Sequence, residues 1–194
     1  VRHLPLDETR IRQGGPAAAR NRREAEDVVV TEGGCVAQLP DFFGPGVHAS
    51  SLQNPLREAA AGRPMRWIGD PDTPREYIFL PDAMRLVADL AEHPEAVSGR
   101  WLLPGAGPLT GTGAAEIAGQ HLGRTVPVKG APPWLLRLVS LVDSDLRAFM
   151  PLVPEYAKPV SYDATRLRGL LGDEALRLTP YAEAIPRTLD WLRG

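Results

Sequence analysis

The stretch from Cys35 to Asp82 constrains the fold more than any other part of this chain. It opens on a short apolar run, Cys35-Val36-Ala37-Gln38-Leu39-Pro40, and passes at once into Asp41-Phe42-Phe43-Gly44-Pro45-Gly46. A brief apolar run bounded by Pro and Gly predicts a buried strand, parallel to its neighbours. Pro45 sets its own φ, and Gly44 and Gly46 accept the positive φ of a sharp turn, so 41–46 reads as a tight corner. A buried strand that ends in such a corner places it at the carboxyl edge of a sheet, where open α/β sheets hold their ligands. Cys35, inside that strand, is expected to pack as an inert core residue.

Around this stretch the pattern alternates strand and helix, which predicts an α/β fold. Helices are expected at Ala17–Glu32, ended by Gly33-Gly34, and at Leu52–Ala61, Ala83–His93 and Ala114–Leu122. A long helix from Trp134 towards Met150 and two more at Ala164–Leu171 and Tyr181–Leu192 complete the set. Strands are expected at Met65–Ile68, Glu76–Leu80, Arg100–Leu103 and Thr125–Val128, with a last one near Pro159–Tyr162. Asp82 is the expected N-cap of its helix, whose buried face would carry Met84, Val87, Ala88 and Ala91. The segment Gly105 to Gly113 reads as a Pro/Gly loop.

Composition excludes several function classes. A net charge of −2 gives no electrostatic case for nucleic acid or an anionic membrane surface. The single cysteine rules out an internal disulfide and any multi-Cys metal site. The longest apolar run, Trp134 to Val142, is broken by Arg137 and is too short to span a bilayer. A cytoplasmic protein is the expectation. Lysine occurs only at Lys129 and Lys158, an arginine bias typical of a GC-rich bacterial genome.

Three motifs in order resemble the extended short-chain dehydrogenase/reductases, the NAD(P)-dependent epimerase/dehydratase family. The first is the Leu39–Gly46 corner. The second is Arg75-Glu76-Tyr77-Ile78-Phe79-Leu80-Pro81-Asp82. The third runs from Asp163 through Thr179-Pro180 and Glu183-Ala184-Ile185 to Thr188-Leu189-Asp190-Trp191. The resemblance implies a partial Rossmann-type parallel sheet with a smaller α/β substrate-binding lobe. Residues 1–41 would be a remnant of the Rossmann domain, and 42–194 the substrate lobe with interleaved Rossmann elements at about 76–104. The Gly-rich strand–turn–helix that cradles a dinucleotide pyrophosphate is absent from the sequence. The chain therefore reads as beginning in mid-domain, with the first half of the fold expected upstream of Val1.

The resemblance also assigns candidate residues. On the Ala17–Glu32 helix the family's catalytic Tyr falls on Ala18 and its Lys on Arg22, so no catalytic residue is assigned. Arg22 is a candidate for a ribose hydroxyl or phosphate, set against a plain solvated face of Arg20, Arg23, Glu24, Glu26 and Asp27. Pro40, Phe42 and Phe43 stand where the family packs nicotinamide, though an aromatic pair sealing two lobes explains the phenylalanines equally well. His48, Ser50 and Arg75 are candidate substrate contacts; Arg75 would hold an anionic group, or be ion-paired with Asp70, Asp72 and Glu76. Asp70 and Asp72 fit turn chemistry, and His3, His93 and His121 read as surface residues without partners. No metal site is expected.

The function implied is NAD(P)-dependent oxidation–reduction or epimerisation of a sugar nucleotide, or of another hydroxyl or carbonyl compound, by hydride transfer. The cofactor would be NAD or NADP and the partner a small molecule, possibly nucleotide-linked. The helix Ala17–Glu32, with its apolar Ala18, Ala25, Val28 and Val29, would support a weak homodimer. Two alternatives remain open: a non-catalytic dinucleotide- or metabolite-sensing member of the fold, and an inactive fragment. Ala18 favours these; the corner and the Arg75 motif favour an occupied pocket.

Overall fold

A computed structural model describes residues 5–8, 17–132, 141, 147, 150, 153–156 and 158–194, with backbone alone at 17–19 and 155. The element order is α1 (Ala17–Thr31), β1 (Val36–Gln38), β2 (Asp41–Phe43), α2 (Gln53–Ala60), β3 (Met65–Ile68), β4 (Arg75–Phe79) and α3 (Leu80–Ala91). There follow β5 (Arg100–Leu102), β6 (Pro108–Leu109), α4 (Gly111–Leu122), β7 (Val128–Ala131), α5 (Val153–Tyr156), α6 (Thr165–Ala175) and α7 (Tyr181–Arg193). The expected helix from Trp134 towards Met150 lies largely outside the described residues.

The protein is α/β, and its strands form three small sheets rather than one. β1 pairs parallel with β5, and β3 parallel with β7. β4 is the centre of the third sheet, parallel to β2 and antiparallel to β6. The corner differs from the sequence expectation. Asp41–Phe43 is a strand, in register Asp41↔Tyr77 to Phe43↔Phe79 with β4. The turn begins only at Gly44 (φ 138°) and Gly46 (φ 83°), where a Cβ-bearing residue would be strained. The chain thus leaves one sheet after Gln38 and enters another at Asp41.

Two cores result. One holds Phe43, Leu52, Leu56, Trp67, Tyr77, Phe79 and Ile185 between the β2–β4 sheet and α2, α4 and α7. The other gathers Ile78, Ala83, Leu86, Leu90, Trp101, Leu103 and Leu167 on the opposite face of β4. The apolar residues of β4 alternate between the two, Tyr77 and Phe79 in the first and Ile78 in the second.

Several local expectations are corrected. α3 buries Ala83, Leu86 and Leu90, while Met84 is 48% exposed. Apolar residues surround this helix on several sides, so periodicity alone did not select the face. Asp82 is not its cap: the N-cap is Phe79, and the Asp82 carboxylate instead accepts from Thr179 N at 2.7 Å and Thr179 Oγ1 at 3.2 Å. Cys35 is exposed, one residue before β1. The strand expected at Thr125–Val128 runs instead over Val128–Ala131, and near 159–162 there are only single bridges at Val160 and Tyr162. His121 has a partner, Asp190 on α7, at 2.6 Å.

Candidate functional site

Asp41 and Arg75 stand at the start of adjacent parallel strands, at the junction between two sheets. The register places Asp41 beside Tyr77, and Arg75, two residues earlier on β4, shares the face of Tyr77. Asp41 Oδ2 accepts from Ser51 N at 3.1 Å and from the Ser51 hydroxyl, and lies 3.5 Å from the Tyr156 hydroxyl. The Arg75 guanidinium lies 4.6 Å from the centre of the Tyr156 ring, and its Nη1 donates to the Lys158 carbonyl at 3.0 Å. Arg75 also reaches the 158–162 segment through its backbone bridge to Val160.

Burial shifts the ionisable groups here in one direction. Desolvation pushes the Tyr77 and Tyr162 phenols up to about 12 and Tyr156 higher still, with the Asp41 charge adding to the rise at Tyr156. All three stay neutral at physiological pH and can act as hydrogen-bond donors. Burial also raises the Glu76 carboxyl, opposed by backbone N–H groups of Gly105 and Tyr162. The cluster therefore offers one guanidinium and several phenol hydroxyls, bounded by the Asp41 and Glu76 carboxyls. That set suits a ligand rich in hydroxyl and oxyanion acceptors.

The structure distributes the candidate residues unevenly. Arg75 is 9% exposed and belongs to the cluster. Pro40 is buried directly before it, and the Phe42 ring is 37% exposed on the other side of the strand. Phe43 is fully buried, its ring against Phe79 at 5.7 Å and Tyr181 at 6.1 Å. Of the two readings of the aromatic pair, the core role describes this side chain. Ser50 uses its hydroxyl to accept from Gln53 N at 2.9 Å, which caps α2. His48 and Arg22 are exposed, and the Ala18 side chain lies outside the described residues. Asp70 accepts from Asp72 N at 2.9 Å, the turn chemistry expected of it.

Sequence reasoning missed Asp41, Ser51, Tyr77, Tyr156 and Tyr162. Tyr77 was accessible, because alternation puts it on the face of Arg75. Tyr156 and Tyr162 are distant in sequence from Asp41, and no local signal joins them.

The described residues do not supply a dinucleotide pyrophosphate cradle. The glycine-rich segment leading into α4 is the nearest candidate, but the N–H groups of Gly111 and Gly113 at the start of that helix are already used. Gly111 N donates to the Pro71 carbonyl at 2.6 Å, and Gly113 N to the Thr110 hydroxyl at 3.0 Å. Its glycines have packing reasons: a Cβ at Gly111 would stand 2.6 Å from the Trp67 ring, and one at Gly105 2.5 Å from Glu76 Cβ. Among the described residues no His, Cys, Asp and Glu group could hold a metal ion.

No protein-family model matches the chain, and no curated protein matches it in sequence. Solved structures do match it in shape. UDP-glucuronic acid 4-epimerase from Bacillus cereus, in complex with UDP-glucuronic acid and NAD, superposes with a TM-score of 0.75 over 99% of this chain and 57% of its own, at 10% identity. An epimerase from Methanothermobacter thermautotrophicus gives 0.74 over 97% of this chain and 54% of its own, at 16% identity. The fold is the one these solved epimerase structures have. RMD from Pseudomonas aeruginosa, complexed with NADPH, shares it at a TM-score of 0.72 and 16% identity, over 98% of this chain and 60% of its own. The chain thus spans little more than half the length of these solved structures.

Proposed function

We propose that this chain is part of an NAD(P)-dependent oxidoreductase or epimerase that acts on a sugar nucleotide, or on another hydroxyl or carbonyl compound, by hydride transfer. The observation that carries the reading is Arg75: a motif arginine, nearly withdrawn from solvent, beside neutral phenols at the junction of two sheets. The epimerase/dehydratase fold supports it, since matched structures hold UDP-glucuronic acid with NAD, or NADPH. Arg75 meets an anionic group of the ligand, and half-buried Ser50 and exposed His48 line its approach. Pro40, Phe42 and Arg22 face the nicotinamide end of NAD or NADP, with Phe43 supporting them from the core. Residues 1–41 belong with the cofactor domain and 42–194 with the substrate lobe.

Calorimetric titration with uridine diphosphate tests this reading on the chain itself. Saturable binding that Arg75→Gln abolishes supports it. A wild-type chain that gives no binding heat overturns the Arg75 assignment.

Ala18 favours a second reading, a sensing member that binds the same class of ligand without turning it over. A helix that cannot offer a phenol at that position loses the usual proton donor. We also infer a weak homodimer through α1, where Val28 is 63% exposed; light scattering that shows a concentration-independent monomer would exclude it.

A further inference from the structure

The guanidinium of Arg75 is held from two sides. Below it, the Lys158 carbonyl takes one Nη1 hydrogen at 3.0 Å. Above it lies the Tyr156 ring, 4.6 Å from the guanidinium carbon. The far end of that ring is itself fixed, its hydroxyl near Asp41 Oδ2 on the neighbouring strand. Asp41 in turn is fastened to Ser51 at the entry to α2 by two contacts. A chain of contacts therefore runs from α2 through β2 and α5 to the motif arginine on β4.

We propose that Tyr156 is a positioning residue for Arg75, anchored through its hydroxyl by the Asp41–Ser51 pair. This rests on the reading that Arg75 meets an anionic ligand group. Arginine carries a long, rotamer-rich side chain, and its planar fork is effective against phosphate only when its plane is fixed. A ring stacked on one face and a carbonyl on one edge fix that plane. The stack is also the reason for an aromatic residue at 156, since an aliphatic one would fill the space without attracting the cation. Tyrosine further suits the place because its hydroxyl reaches the Asp41 carboxylate, a contact that phenylalanine lacks.

The experiment compares uridine diphosphate binding by calorimetry with thermal melting for the wild-type chain and its Arg75→Gln, Tyr156→Phe and Tyr156→Leu variants. Tyr156→Leu is expected to weaken binding about tenfold, the scale of a partly desolvated cation–π contact. Tyr156→Phe keeps the ring and should retain most of the affinity. Tyr156→Met, close in volume but without a ring face, replaces the leucine variant if that one melts early. Wild-type affinity in the Leu or Met variant, with Arg75→Gln inactive, overturns the role of Tyr156 and leaves the Arg75 reading standing. An equal loss in Tyr156→Phe and Tyr156→Leu likewise overturns positioning through the ring. Absence of binding by the wild-type chain removes the Arg75 reading first, and this inference with it.

Discussion

The hydroxyl of Tyr181 on α7 is bonded to the backbone of Tyr77 on β4, residues far apart in sequence. It accepts from Tyr77 N at 2.9 Å, and its proton lies between the carbonyls of Gly107, at 2.8 Å, and Tyr77, at 3.0 Å. One buried phenol thereby joins the last helix to the central strand and the loop beside it. Burial raises its pKa, so it stays a donor at any working pH. Tyr181→Phe is expected to lower stability by about 1–3 kcal/mol, because the Tyr77 N–H loses its acceptor in the core. Urea denaturation measures it, and an unchanged midpoint would mean that water replaces the hydroxyl.

Asp82 ties α3 to the segment before α7 through both polar groups of Thr179. Asp82→Ala should cost about 1.5–3 kcal/mol, the range for bonds to a charged acceptor. Helix-cap loss alone would leave the 179–181 segment protected. Faster amide exchange at Thr179 in the variant is therefore the distinguishing measurement.

Gly111 admits the Trp67 ring against the first turn of α4. Gly111→Ala places a Cβ 2.6 Å from that ring, a rigid group enclosed by the core, and should destabilise by about 1–3 kcal/mol. Equal melting temperatures for variant and wild type would show that the indole can move aside. Near-ultraviolet circular dichroism would then register the displaced tryptophan.

Glu76 gives the fold a pH dependence of definite sign. Its folded pKa is raised by burial above its ordinary value of 4.5. The native state therefore binds the proton more tightly than the unfolded chain does. This contribution is complete below that ordinary value and disappears as pH climbs through the folded pKa. Stability should decline on raising pH upward from 4.5, and Glu76→Gln should flatten the decline. Urea midpoints across a pH series decide it; a slope identical in the two proteins would assign the dependence elsewhere.

The described residues hold no free pyrophosphate cradle, so this chain is expected not to bind NADH or NADPH with useful affinity on its own. Contacts at the nicotinamide end would have to offset several kcal/mol of lost translational and rotational freedom. Calorimetric titration with each cofactor is the check. A dissociation constant in the low micromolar range would place the cofactor site in residues other than those named above.

Turn and cap residues made the element order legible. Gly33 ends α1, where φ is 84°, and the Gly44-Pro45-Gly46 turn stands where Pro and Gly require it. The strands Met65–Ile68 and Arg75–Phe79 were visible as short apolar runs between breakers, with the second displaced by one residue. The three motifs also pointed to the epimerase/dehydratase fold that the superpositions display. Periodicity and turn chemistry act within a few residues, and that is as far as they reach.

What the sequence by itself determined was thus the class of fold and most of the order of its elements. Tertiary structure decided the rest, because each remaining question turned on a partner distant along the chain. Asp41–Phe43 is a strand only because β4 lies beside it to accept its hydrogen bonds. Asp82 faces Thr179 instead of capping a helix because the segment before α7 is packed against α3, and His121 meets Asp190 because α7 is packed against α4. The site itself is the clearest case: Asp41, Ser51, Tyr77, Tyr156 and Arg75 come from separate segments, and a hydrogen bond or ring stack between them has no expression in local propensity.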